Sequence, residues 1–394
     1  MNGTEPTDPE YTNAIHRIEA HPEYQREIHP PRTVRTDSLA YRWAVSYWQR
    51  RQMGESHEEA IRRVENLICI AAIPPFPPMW EIPVPPIPPV VTLPRLRKAG
   101  QQFELETGEP FTAVECSDFN LLNRWQHGED ITPVLAQRLD AGYNMLRVWT
   151  LYNLAAAHIG VFLDIDYARI AAFLSLCAQH RLYVEFTAYT STERPEHWGQ
   201  LVAACQGTSA LLELVNEGTL PVNQIDMDRY PRPSGVLASH GSGGSEGVPP
   251  WEPWDYITFH TNGANEEQRK IGHNAWEIWP GPTLTNETSR YPDVGMWVGS
   301  NIERCRALAY DAAAGAALLC AGSCFHSALG KTSQLWDANT EAVARAWAAG
   351  AKSVPMEFQH GRYIHRTDLE GPEDLRVYER RLNDGRGHIV TIRK

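Results

Sequence analysis

From about residue 101 onward, apolar stretches of strand length alternate with stretches whose apolar residues recur at helical spacing. The apolar stretches predict eight strands, at Phe111–Glu115, Met145–Thr150, Leu182–Ala188, Ala210–Asn216, Gly235–His240, Tyr256–His260, Pro282–Asn286 and Ala317–His326. The helical spacing predicts helices at Ile131–Ala141, Ile165–His180, Glu196–Cys205, Glu266–Ile278, Ile302–Ala314 and Thr340–Ala349. Strands alternating with helices over roughly 250 residues are typical of the α/β class, and here of a (β/α)8 TIM barrel. We predict this barrel over residues 101–354, without a helix between the fifth and sixth strands.

The two ends of the chain have a different pattern. Residues 1–37 are polar and aperiodic, which predicts an extended arm, and residues 38–73 have apolar residues at helical spacing, which predicts a helical hairpin. Ten prolines between residues 74 and 94 exclude a helix or a central strand, so residues 74–100 are predicted to form an extended Pro-rich segment. Residues 355–394 predict a small β tail, with strands at Tyr363–His365, Leu375–Leu382 and His388–Arg393.

The sequence carries no recognisable targeting signal or membrane span. Its first residues are polar and acidic, without the basic and apolar regions of a secretory signal peptide. The longest proline-free apolar run, Leu67–Ile73, has about seven residues and is too short to cross a bilayer. We expect a soluble protein. Its compartment is not predicted, which leaves open a place in a larger particle or export by a route without a signal peptide.

The net charge of −12 is concentrated in the predicted barrel. Residues 101–354 carry 16 basic and 29 acidic residues, whereas residues 1–100 carry 12 of each. Nucleic-acid binding depends on basic residues, so we exclude nucleic acid and expect a neutral or cationic partner for the barrel. The neutral first hundred residues are the part expected to dock on a protein partner or a larger assembly, for instance a virus particle.

Two glutamates end predicted strands directly after an asparagine. Glu217 ends the fourth strand in the sequence ELVNE, and Glu287 ends the seventh in the sequence LTNE. Chemistry in a (β/α)8 barrel takes place at the carboxyl ends of the strands, so these carboxyls are expected to face one another across the barrel mouth. Glycoside hydrolysis requires one protonated and one ionised carboxyl. Arg147, at the end of the second strand, is placed to hold Glu287 ionised, which leaves Glu217 as the acid.

These segments resemble a known family. ELVNE at 213–217, LRVW at 146–149, LTNE at 284–287 and GEPFTAVECSDFNLL at 108–122 are similar to the retaining glycoside hydrolases of the (β/α)8 superfamily, which includes cellulases and mannanases. The resemblance covers roughly residues 100–350 and implies cleavage of β-linked glycans without a cofactor. It also implies roles for four residues: Glu217 as acid/base, Glu287 as nucleophile, Asn216 as ligand of the sugar 2-hydroxyl, and His260 as the histidine that often follows the sixth strand. A retaining mechanism predicts carboxyl groups about 5–5.5 Å apart.

Further substrate-binding residues are predicted at the same strand ends. They are Trp149, Tyr189, His240, Trp297 and Trp336. Aromatic faces stack on the apolar faces of sugar rings, and a neutral sugar requires no basic patch.

Structural roles remain open for several of these side chains. A loop tryptophan can pack beneath its own loop, and His240 and His260 can be hydrogen-bonded wall residues. Arg147 can bridge a core carboxylate such as Glu185 or Glu115. We expect Glu213 to be structural.

Two other functions also remain open. A metal-dependent hydrolase would use His240 and His260, but it needs further ligands on the first strand, where the sequence reads Glu-Cys-Ser-Asp, so we predict no metal. The other is a non-catalytic glycan-binding or structural protein that retains a glycosidase-like barrel. Gly218 and Asn262, which stand where the family has proline and tyrosine, favour this alternative.

Overall fold

The computed structural model describes residues 91–151, 165–189, 195–218, 225–241, 253–261, 279–355, 362–371, 375–382 and 384–393. The predicted arm, the helical hairpin, most of the Pro-rich segment and the predicted helix at Glu266–Ile278 lie outside these residues.

Strands and helices alternate along most of the described chain. The strands are β1 (Leu96–Ala99), β2 (Gln102–Leu105), β3 (Pro110–Phe111), β4 (Ala113–Ser117), β5 (Met145–Trp149), β6 (Tyr183–Tyr189), β7 (Leu211–Val215), β8 (Leu237–Gly241), β9 (Ile257–His260), β10 (Thr283–Glu287), β11 (Gly322–Phe325), β12 (Arg362–His365), β13 (Leu375–Arg381) and β14 (Gly387–Arg393). The helices are α1 (Leu121–Gln126), α2 (Thr132–Asp140), α3 (Ile170–Gln179), α4 (Pro195–Cys205), α5 (Ile302–Leu319), α6 (Ala328–Lys331) and α7 (Ala338–Ala351).

Strands β4 to β11 form one eight-stranded parallel sheet that curls into a nearly closed barrel. Their order in the sheet is β8-β7-β6-β5-β4-β11-β10-β9, so β8 and β9 are its two edges. The edges lie side by side: Ser239 Oγ on β8 is 3.3 Å from Thr258 Oγ1 on β9, and the Asp255 N–H donates to the Ala238 carbonyl at 3.0 Å. The predicted (β/α)8 TIM barrel is confirmed.

The boundaries of the first barrel strand differ from the prediction, which placed it at Phe111–Glu115. Phe111 belongs to β3, which pairs antiparallel with β2 in a separate three-stranded sheet, and the barrel strand β4 begins at Ala113. The small sheet covers the amino-terminal end of the barrel, where Phe103 and Phe111 pack with Tyr183 and Tyr256. One continuous apolar run therefore contains two strands of different sheets.

The last barrel strand is shorter than predicted. The predicted strand Ala317–His326 begins inside helix α5, which runs to Leu319, and β11 covers Gly322–Phe325. The run AAAGAALL in α5 is rich in alanine, the residue with the highest helix propensity, so local preference extends the helix through this apolar segment. Helix α1 was not predicted.

The predicted β tail is confirmed as a small antiparallel sheet of β12, β13 and β14. Tyr378 and Val390 of this sheet are buried in one cluster with Ala314, Leu318 and Val354, so the sheet packs on helix α5. The hydrophobic face of the sheet is therefore covered by the barrel's own helical layer.

The cysteines of the described residues are free thiols. Cys116, Cys177, Cys205, Cys305, Cys320 and Cys324 are all buried and not in disulfide bonds. In the same parts of the chain, none of the helices combines the length and hydropathy needed to cross a membrane.

Gly322 offers a test of how closely β11 and β4 approach. A Cβ atom at this position would lie 2.4 Å from Ala113 Cβ and 2.5 Å from the Ala113 carbonyl oxygen. We expect Gly322→Ala to lower the free energy of unfolding by about 1–3 kcal/mol through overpacking. Gly199→Ala, on α4 with open space around it, is the matched control and is expected to raise it by up to about 1 kcal/mol. Urea unfolding measures both; equal effects would contradict the close approach.

Candidate active site

A cavity of about 180 Å³ opens at the carboxyl ends of β9, β10 and β11. It is lined by Glu217, His260, Thr261, Glu287, Thr288, Ser289, Arg290, Val294 and His326. The cavity therefore brings together three of the predicted site residues, namely Glu217, Glu287 and His260.

Arg147 on β5 connects Glu287 to the barrel interior. Its guanidinium is fully buried, and its Nη1 donates to Glu287 Oε2 at 2.6 Å. The Nη2 group donates to Glu213 Oε2 at 2.6 Å and to Asn216 Oδ1 at 2.7 Å. The sequence left open whether Arg147 pairs with Glu287 or with a core carboxylate such as Glu185. It pairs with Glu287 and with the core residue Glu213, while its Nε lies 3.8 Å from Glu185 Oε2.

Glu217 follows β7 in an unusual backbone conformation. Its φ is 49°, a left-handed value that is uncommon for residues other than glycine and that occurs at functional sites. The Glu217 side chain is 26% exposed, and its Oε1 lies 3.3 Å from His260 Nδ1. The other nitrogen of the same ring, Nε2, lies 3.9 Å from Glu287 Oε2. One imidazole therefore contacts both carboxylates.

A β-bulge in β10 explains how two consecutive residues both reach the interior. Thr285 pairs with Phe259 and Glu287 with His260, so the register shifts at Asn286. In a regular strand, neighbouring side chains point to opposite faces, and a bulge changes this alternation. The Asn286 amide points into the barrel core, whereas Glu287 points to the cavity.

The barrel interior below the cavity holds a polar network that centres on Glu213. Glu213 Oε2 accepts from Thr187 Oγ1 at 2.7 Å, in addition to Arg147. Glu213 Oε1 accepts from Thr258 Oγ1 at 2.9 Å and from Asn286 Nδ2 at 2.8 Å. These bonds fix the carboxylate from three sides, as a buried charge requires. The threonines and the role of the Asn286 amide were not predicted from the sequence, and Glu213 was expected only to be structural.

The electrostatics of the site favour an ionised Glu287. Burial by itself would raise the pKa of Glu287, but His260, His326 and Arg147 outweigh it and lower the pKa to about 2. Burial lowers the pKa of His326 to about 4 in spite of the nearby Glu287. His326 is therefore neutral at pH 7, and Arg147 provides a permanent positive charge beside Glu287 at that pH.

Asn216, Trp149 and Tyr189 also lie near the barrel mouth. The side-chain oxygen of Asn216, Oδ1, accepts from Arg147 Nη2 at 2.7 Å. Trp149 is half-buried and stacks on Phe119 with ring centroids 3.9 Å apart. Tyr189 is buried and packs edge-on against His197 at 5.5 Å.

Three other predicted binding residues occupy packing positions away from the cavity lining. His240 packs on Trp254, with ring centroids 3.8 Å apart. Trp297 is 1% exposed and donates from Nε1 to the Ser289 carbonyl at 2.6 Å. Trp336 is buried beneath the Arg138 guanidinium, 3.8 Å from its ring centroid. For Trp297 and Trp336, the alternative of packing beneath a loop describes the side chains better than sugar stacking, because both are buried.

Across the described ranges, no group of three or more His, Cys, Asp or Glu side chains is arranged to hold a metal ion.

His326 also lines the cavity, and its Nε2 lies 3.8 Å from Glu287 Oε1. Its other nitrogen, Nδ1, is 3.0 Å from Ser117 Oγ.

Comparisons with known proteins give structural neighbours only. No protein-family model matches the chain, and no curated protein matches it. A solved structure described as a glycoside hydrolase is similar at 11% identity with a TM-score of 0.52, covering 76% of this chain and 93% of that one. A glycoside hydrolase family 5 protein from Bacteroides vulgatus has 13% identity, a TM-score of 0.47 and coverage of 74% and 82%.

A β-glucanase from Saccharophagus degradans, solved with cellotetraose, has 12% identity, a TM-score of 0.44 and coverage of 69% and 99%. At identities this low, similarity to a solved structure shows a fold at most, and a fold by itself does not determine a reaction. The neighbour with a TM-score of 0.52 independently supports the barrel architecture.

Arg147 is expected to be essential for stability as well as for the site. Arg147→Met leaves Glu213 unpaired in the interior, so we expect it to lower the free energy of unfolding by about 3–5 kcal/mol. Adding Glu213→Gln to this variant should recover part of the loss, because no unpaired charge then remains at that position. Arg306→Met, which breaks an exposed pair with Glu303, is the control and should cost less than about 1 kcal/mol. Denaturant titrations measure all three; a cost for Arg147→Met no larger than the control's would contradict the pairing.

Proposed function

We propose that this protein is a glycoside hydrolase that cleaves β-linked glycans by a retaining double displacement, with Glu287 as nucleophile and Glu217 as acid/base. The observation that carries the proposal is the pairing of Glu287 with buried Arg147, beside an imidazole that also contacts Glu217. The similarity of the fold to solved glycoside hydrolases supports the same class of reaction.

The spacing of the two carboxyls distinguishes retention from inversion. Retaining enzymes hold their carboxyl groups about 5–5.5 Å apart, and inverting enzymes about 6.5–9.5 Å apart to admit a water molecule. The His260 ring contacts Glu217 Oε1 at 3.3 Å through Nδ1 and Glu287 Oε2 at 3.9 Å through Nε2, so both carboxyls border the same cavity. The separation of the carboxyl groups themselves stays a prediction.

In the first step, a Glu287 oxygen attacks the anomeric carbon while the bond to the leaving oxygen breaks. Glu217 donates its proton to that oxygen, and a glycosyl ester of Glu287 forms. In the second step, Glu217 removes a proton from water, the water oxygen attacks the anomeric carbon, and the ester bond to Glu287 breaks. Arg147 stabilises the Glu287 carboxylate before attack and again when it leaves.

Substrate positioning is assigned to Asn216 and Trp149. With the Asn216 carbonyl held by Arg147, its amide N–H groups would donate to the sugar 2-hydroxyl beside the reacting carbon. Trp149 is the predicted tryptophan that is both partly exposed and close to Arg147, which lies 5.7 Å from its ring centroid. We propose that this ring supports a sugar face at the mouth.

Substitution of each glutamate separates the two roles. We expect Glu287→Gln to lower kcat/KM by at least about 10³-fold on every β-glycoside, because the amide cannot form the glycosyl ester. Glu217→Gln should impair substrates with poor leaving groups most, since an aryloxide of low pKa leaves without a proton. Steady-state assays on chromogenic aryl β-glycosides with leaving groups of graded pKa, and on β-glucan and β-mannan, measure this difference.

The control for these variants is Glu303→Gln, whose side chain is 76% exposed on α5 and should leave the kinetics unchanged. A 2-deoxy-2-fluoro-β-glycoside with a dinitrophenyl leaving group should inactivate the wild type, and peptide mass spectrometry should locate the adduct on Glu287. Full activity of Glu287→Gln would exclude it as nucleophile. Oligosaccharide binding without turnover across the panel would instead favour the glycan-binding alternative.

A further inference from the structure

Glu185 on β6 is a buried glutamate in the barrel interior, beneath the proposed nucleophile Glu287. Glu115, Glu185 and Glu213 are all fully buried inside the barrel, and the cation that faces them is Arg147. Four ionised carboxylates, with Glu287 included, would leave this interior with a large excess of negative charge around one guanidinium. Burial of unpaired charge is costly enough that some of these groups should be neutral.

The hydrogen bonds of Tyr256 indicate which carboxyl carries a proton. The Tyr256 hydroxyl lies 2.8 Å from Glu185 Oε1 and 2.9 Å from the Leu212 carbonyl oxygen. A hydroxyl has one hydrogen, whereas an ionised carboxylate and a carbonyl are both acceptors only. If Glu185 is protonated on Oε1, it donates to the tyrosine oxygen, and Tyr256 donates to Leu212. Both short contacts are then satisfied hydrogen bonds.

The second oxygen of Glu185 fits the same assignment. Glu185 Oε2 accepts from Asn286 Nδ2 at 3.0 Å, and the same amide nitrogen donates to Glu213 Oε1 at 2.8 Å. The amide has two hydrogens and so serves one acceptor on each carboxyl. Asn286 directly precedes Glu287, so the state of Glu185 is linked to the strand end that carries the nucleophile.

Glu185 would compete with the nucleophile for Arg147 if it were charged. Arg147 Nε lies 3.3 Å from Glu213 Oε2 and 3.8 Å from Glu185 Oε2. We propose that Glu185 is a positioning residue that holds a proton in the active enzyme and thereby leaves the Arg147 guanidinium to Glu213 and Glu287. This proposal rests on the proposed function for its catalytic consequence, but the protonation itself does not depend on it.

Groups on five segments face Glu185: Glu115 on β4, Arg147 on β5, Glu213 on β7, Tyr256 before β9 and Asn286 on β10. Burial and then Glu213 raise the pKa of Glu185 to about 7, against the opposing effect of Arg147. Burial and then Glu185 raise the pKa of Glu115 well above its usual value. Glu213, in contrast, has a lowered pKa, because Arg147 and His260 outweigh its burial. Glu185 therefore ionises near neutral pH.

The first test measures protonation without any substrate. A carboxyl with a pKa of 4.5 when unfolded and about 7 when folded makes the folded state less stable as the pH rises between those values. Glu185→Gln removes this dependence and keeps a donor for Tyr256 and an acceptor for Asn286. We expect the ratio of the unfolding constants of wild type and variant to rise about tenfold per pH unit from 4.5 to 7 and then to level off.

Glu115→Gln is the matched control. Glu185 is unchanged in this variant, so the unfolding constant of Glu115→Gln should still rise with pH up to about 7. Parallel pH dependence of wild type and Glu185→Gln would overturn the proposal. If Glu185→Gln does not fold, infrared spectroscopy of the wild type decides: a protonated-carboxyl band that disappears near pH 7 supports it, and the lack of such a titrating band overturns it.

The second test measures the consequence for the nucleophile. Inactivation by a 2-fluoroglycoside with a dinitrophenyl leaving group reports attack by Glu287, because this leaving group does not need a proton from Glu217. We expect the wild type and Glu185→Gln to react at similar rates at pH 6, and the variant to react up to about tenfold faster at pH 8, where the wild-type Glu185 is ionised. Equal pH profiles would show that Glu185 does not act on the nucleophile. Failure of inactivation in both proteins would count against the proposed function, whereas the unfolding test would still decide the protonation.

Discussion

The arrangement of the barrel mouth depends on a single buried guanidinium. Removing Arg147 from water is expensive, and the cost is offset because its donors meet three acceptors at short range, in and after β7 and at the end of β10. The flat fork of an arginine can do this where a lysine cannot, since its donors diverge in fixed directions. The bonds to Glu213, Asn216 and Glu287 tie β5 to β7 and β10. The interaction that orients the proposed nucleophile thus also holds the barrel strands in place.

The layer beneath the mouth shows how this charge is accommodated. Thr187, Thr258 and Asn286 have short polar side chains that reach Glu213 without filling the volume that its carboxylate needs. Tyr256 closes the lower side of the layer and joins it to the apolar cluster at the other end of the barrel. The interior therefore changes from apolar packing to a hydrogen-bonded layer and then to the open cavity, and this gradient concentrates charge at one end.

The main parts of the fold and the site could be predicted from the sequence because both follow from local rules. Strands buried on both faces form apolar runs, and parallel strands end at the same side of a sheet. Those two rules were enough to bring Arg147, Glu217, His260 and Glu287 together. The error at Ala317–Leu319 has an equally local origin, since an apolar run is compatible with a buried helix as well as with a strand.

Other features depend on contacts between distant segments and could not be predicted. Nothing near Glu185 in the sequence indicates that Tyr256 and Asn286 will meet it across the barrel. The loop tryptophans Trp297 and Trp336 were given the correct side of the barrel, but their burial depends on how the loops fold back over Ser289 and Arg138. The net charge counted over residues 101–354 likewise does not indicate which individual carboxyls are protonated.

The bulge at Asn286 has a consequence for comparing or transplanting this site. On either side of that residue, the odd and even positions of β10 exchange their roles. An alignment that counts positions from the start of the strand will therefore assign Glu287 to the outer surface of the barrel. A graft of this site onto a regular strand would need both Asn286 and Glu287, together with the bulge in the backbone. Transferring the glutamate alone to a regular strand would place its carboxylate on the outer face of the barrel.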